Sequence, residues 1–163
     1  MTNDRFAHHL ERLDIPADRA EALALMPVCY VAWADGPPSR RVAWRVHRLA
    51  QHLLHGSQAE VRAVVAPWLV APPAPETVSE ACDVLRRLAA APDEHNVTFV
   101  ELAALPCYAE WVARANGRRV DAPRAVTPSQ ARALQQLGAW LAVDVGEPWA
   151  VVIEELEPST AAA

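Results

Sequence analysis

"LALMPVCYVAWADG", residues 23–36, returns in altered form as "LAALPCYAEWVARANG", residues 102–117. Both stretches carry Leu-Ala, then a Pro, a Cys-Tyr pair, a Trp three positions after the Tyr, and an Asp-Gly or Asn-Gly stop. At the roughly 100° per residue of an α-helix, Tyr and Trp share one face, with the Cys one turn before the Trp. The first copy has no charge from Ala22 to Ala34, as a helix surrounded on nearly all sides requires. The second carries Glu110 and Arg114, one turn apart, and so has a wet face. A Pro in a helix interior costs about 3 kcal/mol, so Pro27 and Pro106 are expected to mark a bend or a fresh first turn. The repeat predicts two related helix–loop–helix halves whose central helices meet in the core. Tyr30 and Trp33 are then expected against Tyr108 and Trp111, in an aromatic-rich centre.

Working outward, helix signals dominate. "DRFAHHLERL" places Phe6, Leu10 and Leu13 on one side of a short amphipathic helix. Pro16 suits the first turn of the helix that runs through Tyr30 and Trp33 to the Asp35-Gly36 turn. Ser39 is a fitting N-cap for "RRVAWRVHRLAQHLLHG", which Gly56 closes. Capping boxes at Ser57–Glu60, Thr98–Glu101 and Thr127–Gln130 open further helices, the third with Pro128 in its first turn. "ETVSEACDVLRRLAAA" carries an apolar stripe of Val78, Ala81, Cys82, Leu85 and Leu88. "APPAP", residues 71–75, is too short for a domain linker and marks the seam between halves at about 16–70 and 76–143. In the tail, residues 144–163, Val151 to Ile153 fit a short strand or a helix start, and Ser159 to Ala163 are expected to fray. Nothing alternates with period two for long enough to build a sheet. The expected fold is all-α, a compact bundle of about six to seven helices in one domain, 1–163.

Composition agrees with a globular chain: 163 residues, 52% hydrophobic and 21% charged. All 15 basic residues are Arg, and the net charge of −5 argues against nucleic acid as a partner. Three Cys without a C-x-x-C pair give neither a disulfide framework nor a zinc ribbon, so reduced thiols in a cytoplasmic protein are expected. The N-terminus lacks an apolar core of the secretory kind, and no uncharged run reaches the roughly 20 residues of a membrane span.

"YVAWADGPPSRRVAWRVHRLA" resembles the helix, Asp-Gly turn and following helix of the TerB-like proteins, named for tellurite resistance. "AEWVARANGRRVDAPRAVTPSQARALQQLGAWL" is similar to their closing segment, and the resemblance spans residues 18 to 143. It implies a helical interaction domain, without enzymatic activity, in a bacterial stress-response or envelope-associated system. It also implies, as an alternative, divalent-metal binding, with Asp35 matching the family's Asp; acids of the second loop such as Asp121, which the resemblance itself does not supply, are further candidates to contribute. Here Pro37-Pro38-Ser39-Arg40-Arg41 stands where that family usually has another acid, and a hard cation wants several oxygens and no guanidinium beside it. For Asp35, the turn itself supplies a structural role.

Beyond the resemblance, one face stands out. With Val42, Val46, Leu49, Ala50 and Leu53 as the core stripe, Trp44 falls at about 160° from Val46, almost opposite. Either a second layer of helices covers it or it is an exposed aromatic of the sort that anchors an interface. Arg40, Arg41, Arg45 and Arg48 surround it, a basic aromatic face on an acidic chain, and an acidic peptide or protein is the partner it suits. Arg41, Trp44, Arg45 and Arg48 are therefore the candidate partner-binding residues. The partner is unidentified, and a second copy forming a homodimer is one form of it. His47, His52 and His55 fan apart around the same helix and do not converge on one ion. Cys29 and Cys107 suit burial as small hydrophobes. No nucleophile elbow, phosphate loop or catalytic constellation is present, and no cofactor is expected; an accessory subunit of an enzyme complex is the remaining alternative.

Overall fold

The computed structural model describes residues 3–13, 15–54, 56–90, 101–116 and 126–144. Seven α-helices are found there: α1 (Asn3–Arg12), α2 (Leu25–Ala32), α3 (Arg40–Leu53), α4 (Gln58–Val70), α5 (Pro75–Ala90), α6 (Leu105–Ala113) and α7 (Pro128–Leu141). Short 3₁₀ segments, Ala17–Ala24, Leu102–Ala104 and Arg114–Asn116, flank α2 and α6, and no strand occurs among the described residues. The fold is an all-helical bundle, as the sequence predicts.

The two copies of the repeat are built alike. Each opens as 3₁₀ helix and changes to α-helix just before its proline, which puts Pro27 at the third and Pro106 at the second helical position. First-turn N–H groups have no intrahelical acceptor, so a proline there forfeits nothing. Both prolines thus mark the expected restart. The long helix expected from Pro16 is consequently split, and Arg19 at φ −128°, ψ 31° adds a kink inside its 3₁₀ part.

Charge-free α2 is the central helix. Leu25, Met26, Val28, Cys29, Val31 and Ala32 are all buried, against α6 above all and also against α5, α7, α3 and α4. Each large aliphatic side chain enclosed in this way contributes about 1.5–3 kcal/mol. α6 buries everything from Leu105 to Ala113 except Glu110, which pairs with Arg114 on the wet side.

The aromatic side chains do not all share this burial. Tyr108 and Trp111 are buried, whereas Tyr30 and Trp33 are half-buried and turn to other partners. Tyr30 packs on Trp140 of α7 with ring centroids 5.2 Å apart and a tilt of 56°. Trp33 donates its indole N–H to the Trp68 carbonyl at 2.8 Å. That carbonyl lies in the last turn of α4, and the residue four further on is Pro72, which has no N–H to offer it. The inner side of α2 is filled by aliphatics, and its two aromatics serve the rim, where their polar atoms find acceptors or water.

Caps follow the sequence closely. Ser39 accepts from Val42 N, and complete capping boxes stand at Ser57–Glu60 and Thr127–Gln130. The expected Thr98–Glu101 box does not open a helix: Glu101 is described and stands outside any helix at φ −55°, ψ 124°, as the residue before the 3₁₀ turn Leu102–Ala104, and so is not the third residue of a helix begun at Thr98. Thr98 itself, Asp121 in the second loop, His55, and the tail beyond residue 144 lie outside the described residues. On α5, Val78, Ala81, Cys82, Leu85 and Leu88 are buried as a stripe. α1 buries Phe6 and Leu10, and is held to α5 by Glu80, which meets His9 Nδ1 at 3.0 Å and Arg12 Nη2 at 2.9 Å. No helix among the described residues is long and apolar enough to cross a membrane.

Candidate partner-docking groove

α3 starts at the Ser39 cap and buries a narrow strip, Val42, Val46, Leu49 and Ala50. The four-residue connection from Leu54 to Ser57 returns the chain beside it as α4, since so short a link leaves little choice but an adjacent helix. No other described element covers the outer flank of α3. Trp44 is 53% exposed there, and Arg40, Arg41 and Arg48 are exposed with it.

Between α3 and α4 runs an open groove of about 730 Å³. Arg40, Trp44, His47 and Arg48 line it from α3, Gln58 and Arg62 from α4, with Ala43 and Val61 supplying apolar surface. Among the described residues no carboxylate lines it. Glu60, also on α4, is engaged elsewhere: it accepts from Ser57 N at 2.7 Å and Ser57 Oγ at 2.8 Å, and meets Arg19 at 3.1 Å. Those hydrogen bonds, and then the Arg19 charge, hold the Glu60 carboxyl below its usual range. His47 Nδ1 lies 2.8 Å from the Ala43 carbonyl. A carbonyl only accepts, so Nδ1 donates in this contact.

The four candidate residues therefore part company. Trp44 and Arg48 line the groove, and Arg41 is exposed outside its lining. Arg45 turns inward: it donates through Nη1 to the Trp111 carbonyl, and its guanidinium carbon sits 4.7 Å from the centroid of the Trp111 ring. It thereby brings positive charge to the last turn of α6, where the helix dipole favours it. Arg62 and His47 join the groove without having been singled out as partner-binding residues. The short link between α3 and α4 was the one signal pointing to Arg62.

Asp35 belongs to the tertiary scaffold. Gly36, at φ 98°, closes the turn with its N–H on the Trp33 carbonyl at 2.8 Å. Asp35 Oδ1 then accepts from Thr127 Oγ1 at 2.7 Å, while the same hydroxyl caps α7 by accepting from Gln130 N. The turn of the first half is thus fastened to the cap of the second. Among the described residues, no group of three or more His, Cys, Asp or Glu is placed to hold a metal ion. His9 is committed to Glu80, and His8 lies 4.0 Å from Glu11.

All three cysteines are free and buried. Burial pushes the Cys29 and Cys82 thiols up to about 12 and raises Cys107 as well, and Cys107 Sγ donates to the Ala103 carbonyl at 3.2 Å. These are packing residues. A second hollow, of about 520 Å³, lies between Tyr30, Trp33, the 72–75 connection and α7, with Ser129 and Arg132 on its wall. No family model matches the chain, and neither does any curated protein or solved structure.

Proposed function

We propose that this chain is a non-enzymatic interaction domain that works through the outer flank of α3. The observation that carries the proposal is Trp44, half out in solvent between exposed arginines and above a groove that no carboxylate of the described residues lines. An exposed indole ringed by cations costs solubility and contributes nothing to the core, whereas Trp and Arg are the side chains that most often anchor interfaces. Kinship with the TerB-like domains is part of the same proposal. It is supported by the quoted motifs and by the matched build of α2 and α6, and it would set the partner in a bacterial stress-response or envelope-associated system.

Photocrosslinking in cells tests it. A benzoylphenylalanine at position 44 is expected to give one discrete adduct, and the same group at exposed Gln135 on α7 none. Absence of an adduct at 44, or the same adduct from both positions, would remove α3 as the working face.

A further inference from the structure

Resting on the assignment of α3 as the working face, we infer that the groove receives an acidic peptide segment in which one apolar side chain is flanked on both sides by carboxylates. Arg40 and Arg48 stand one turn before and one turn after Trp44 on the same flank, so they bracket the ring by about 6 Å of helix rise on each side. Arg62 adds a third guanidinium from the opposite wall, and among the described residues no carboxylate in the lining answers these three. None of the three has an ion pair among the described residues. The floor between them is apolar, formed by Ala43, Val61 and the Trp44 ring, while Gln58 and Gln51 offer amides to a peptide backbone.

That spacing selects its occupant. In an extended peptide, residues two apart are separated by about 6.6 Å, close to the offset of each arginine from Trp44. An acid, a spacer, an apolar residue, a spacer and an acid therefore lay carboxylates on Arg40 and Arg48 with the apolar side chain on Trp44. The groove's length, Arg40 to Gln51, corresponds to about 16 Å of helix and hence to roughly five extended residues. A nucleic acid fits less well, because three guanidiniums on a chain of net charge −5 make a small cationic island in a repelling field. The island is wide enough for a peptide and too short for a phosphate backbone.

The test uses the full chain and two fluorescein-labelled twelve-residue peptides, one with leucine between glutamates in this spacing and one with both Glu replaced by Gln. In anisotropy titrations at low salt, the Glu peptide is expected to bind at least tenfold more tightly. That advantage should shrink on raising the salt to 0.5 M and vanish in R40E/R48E, whose melting temperature should match that of the parent. Equal binding of the two peptides, or binding of neither, would overturn the acidic-partner inference. The α3 interface would stand or fall separately, by the adduct at position 44. Tighter, R40E/R48E-sensitive binding of single-stranded DNA, polyphosphate or phosphatidylserine vesicles than of the Glu peptide would likewise overturn it, in favour of a polyanion.

Discussion

Arg45 and Arg48 are three residues apart on one helix, yet their replacement should separate stability from binding. Arg45→Met keeps an unbranched stem and removes two interactions with Trp111, a charged hydrogen bond to its carbonyl and the cation over its ring. A hydrogen bond from a charged donor is worth about 1.5–3 kcal/mol and a partly desolvated cation–π contact about 1 kcal/mol. The same guanidinium makes both, and removing it also relieves the cost of holding a charge half-buried, so the two do not add. The net loss should be about 2 kcal/mol, a fall in Tm of roughly 4–8 °C for a chain of this length. Arg48→Met removes an exposed side chain and should stay within about 0.5 kcal/mol of the parent. Paired thermal melts by circular dichroism decide it, with the acidic peptide titrated against both variants. Equal destabilisation by the two substitutions would refute the separation of an inward from an outward arginine. So would a stable Arg45→Met that had lost peptide binding while Arg48→Met kept it.

Other consequences follow from single contacts. Gln130 is 1% exposed, accepts from Thr127 N at 2.9 Å and donates to the Ala113 carbonyl at 3.2 Å, so it joins the start of α7 to the end of α6. Gln130→Leu strands both backbone groups at about 1–3 kcal/mol each and should lower stability in urea by roughly 2–5 kcal/mol; a change below 1 kcal/mol would show that water serves them equally well. The three cysteines should resist iodoacetamide at pH 8 and react promptly in guanidinium, because thiols near 12 hold about one part in ten thousand as thiolate at that pH. Labelling of any of them in the native chain within tenfold of the denatured rate would contradict their burial. Glu60 has a depressed folded-state pKa, so its contribution is present above the ordinary value of 4.5 and is lost as pH falls through the folded one. Plots of Tm against pH for the parent and Glu60→Gln should therefore converge below pH 4.5; curves that stay parallel would place the effect elsewhere.

The parts of this fold that were legible beforehand are those decided within a turn or two of chain. A proline without an N–H must find a first turn, and Pro27 and Pro106 did; Ser39, Ser57 and Thr127 cap because their hydroxyls reach backbone three residues on. The core stripe of α5 and the charge-free α2 were likewise written in periodicity and composition. What escaped depends on residues far apart in the chain. Arg45 looks like its arginine neighbours on a helical wheel, and only the approach of α6 to α3 gives it an acceptor and a ring. Tyr30 and Trp33 share a face, but the positions of Trp140 and of the Trp68 carbonyl draw them outward from the centre. Arg62 joins the candidate site through α4, a helix whose own apolar pattern gives no hint of a site.

The uncovered flank of α3 follows from how the bundle closes. α2 takes neighbours on nearly every side, and once α3 and α4 have packed against each other, α3 meets the rest of the molecule through one strip and through Arg45. No described residue covers the remaining flank, and solvent would be served by any polar side chains. Instead it holds a tryptophan, and among the described residues no carboxylate lines the groove beside its arginines. Elsewhere four acids of the described residues stand beside arginines: Glu80 with Arg12, Glu60 with Arg19, Asp83 with Arg86 and Glu110 with Arg114. What sets the groove apart is the grouping: three guanidiniums without an ion pair among the described residues stand around one exposed indole, the arrangement on which the proposed acidic partner rests. For this reason the groove, rather than the Asp35 turn, is where function should be sought: Asp35 already has its partner in Thr127.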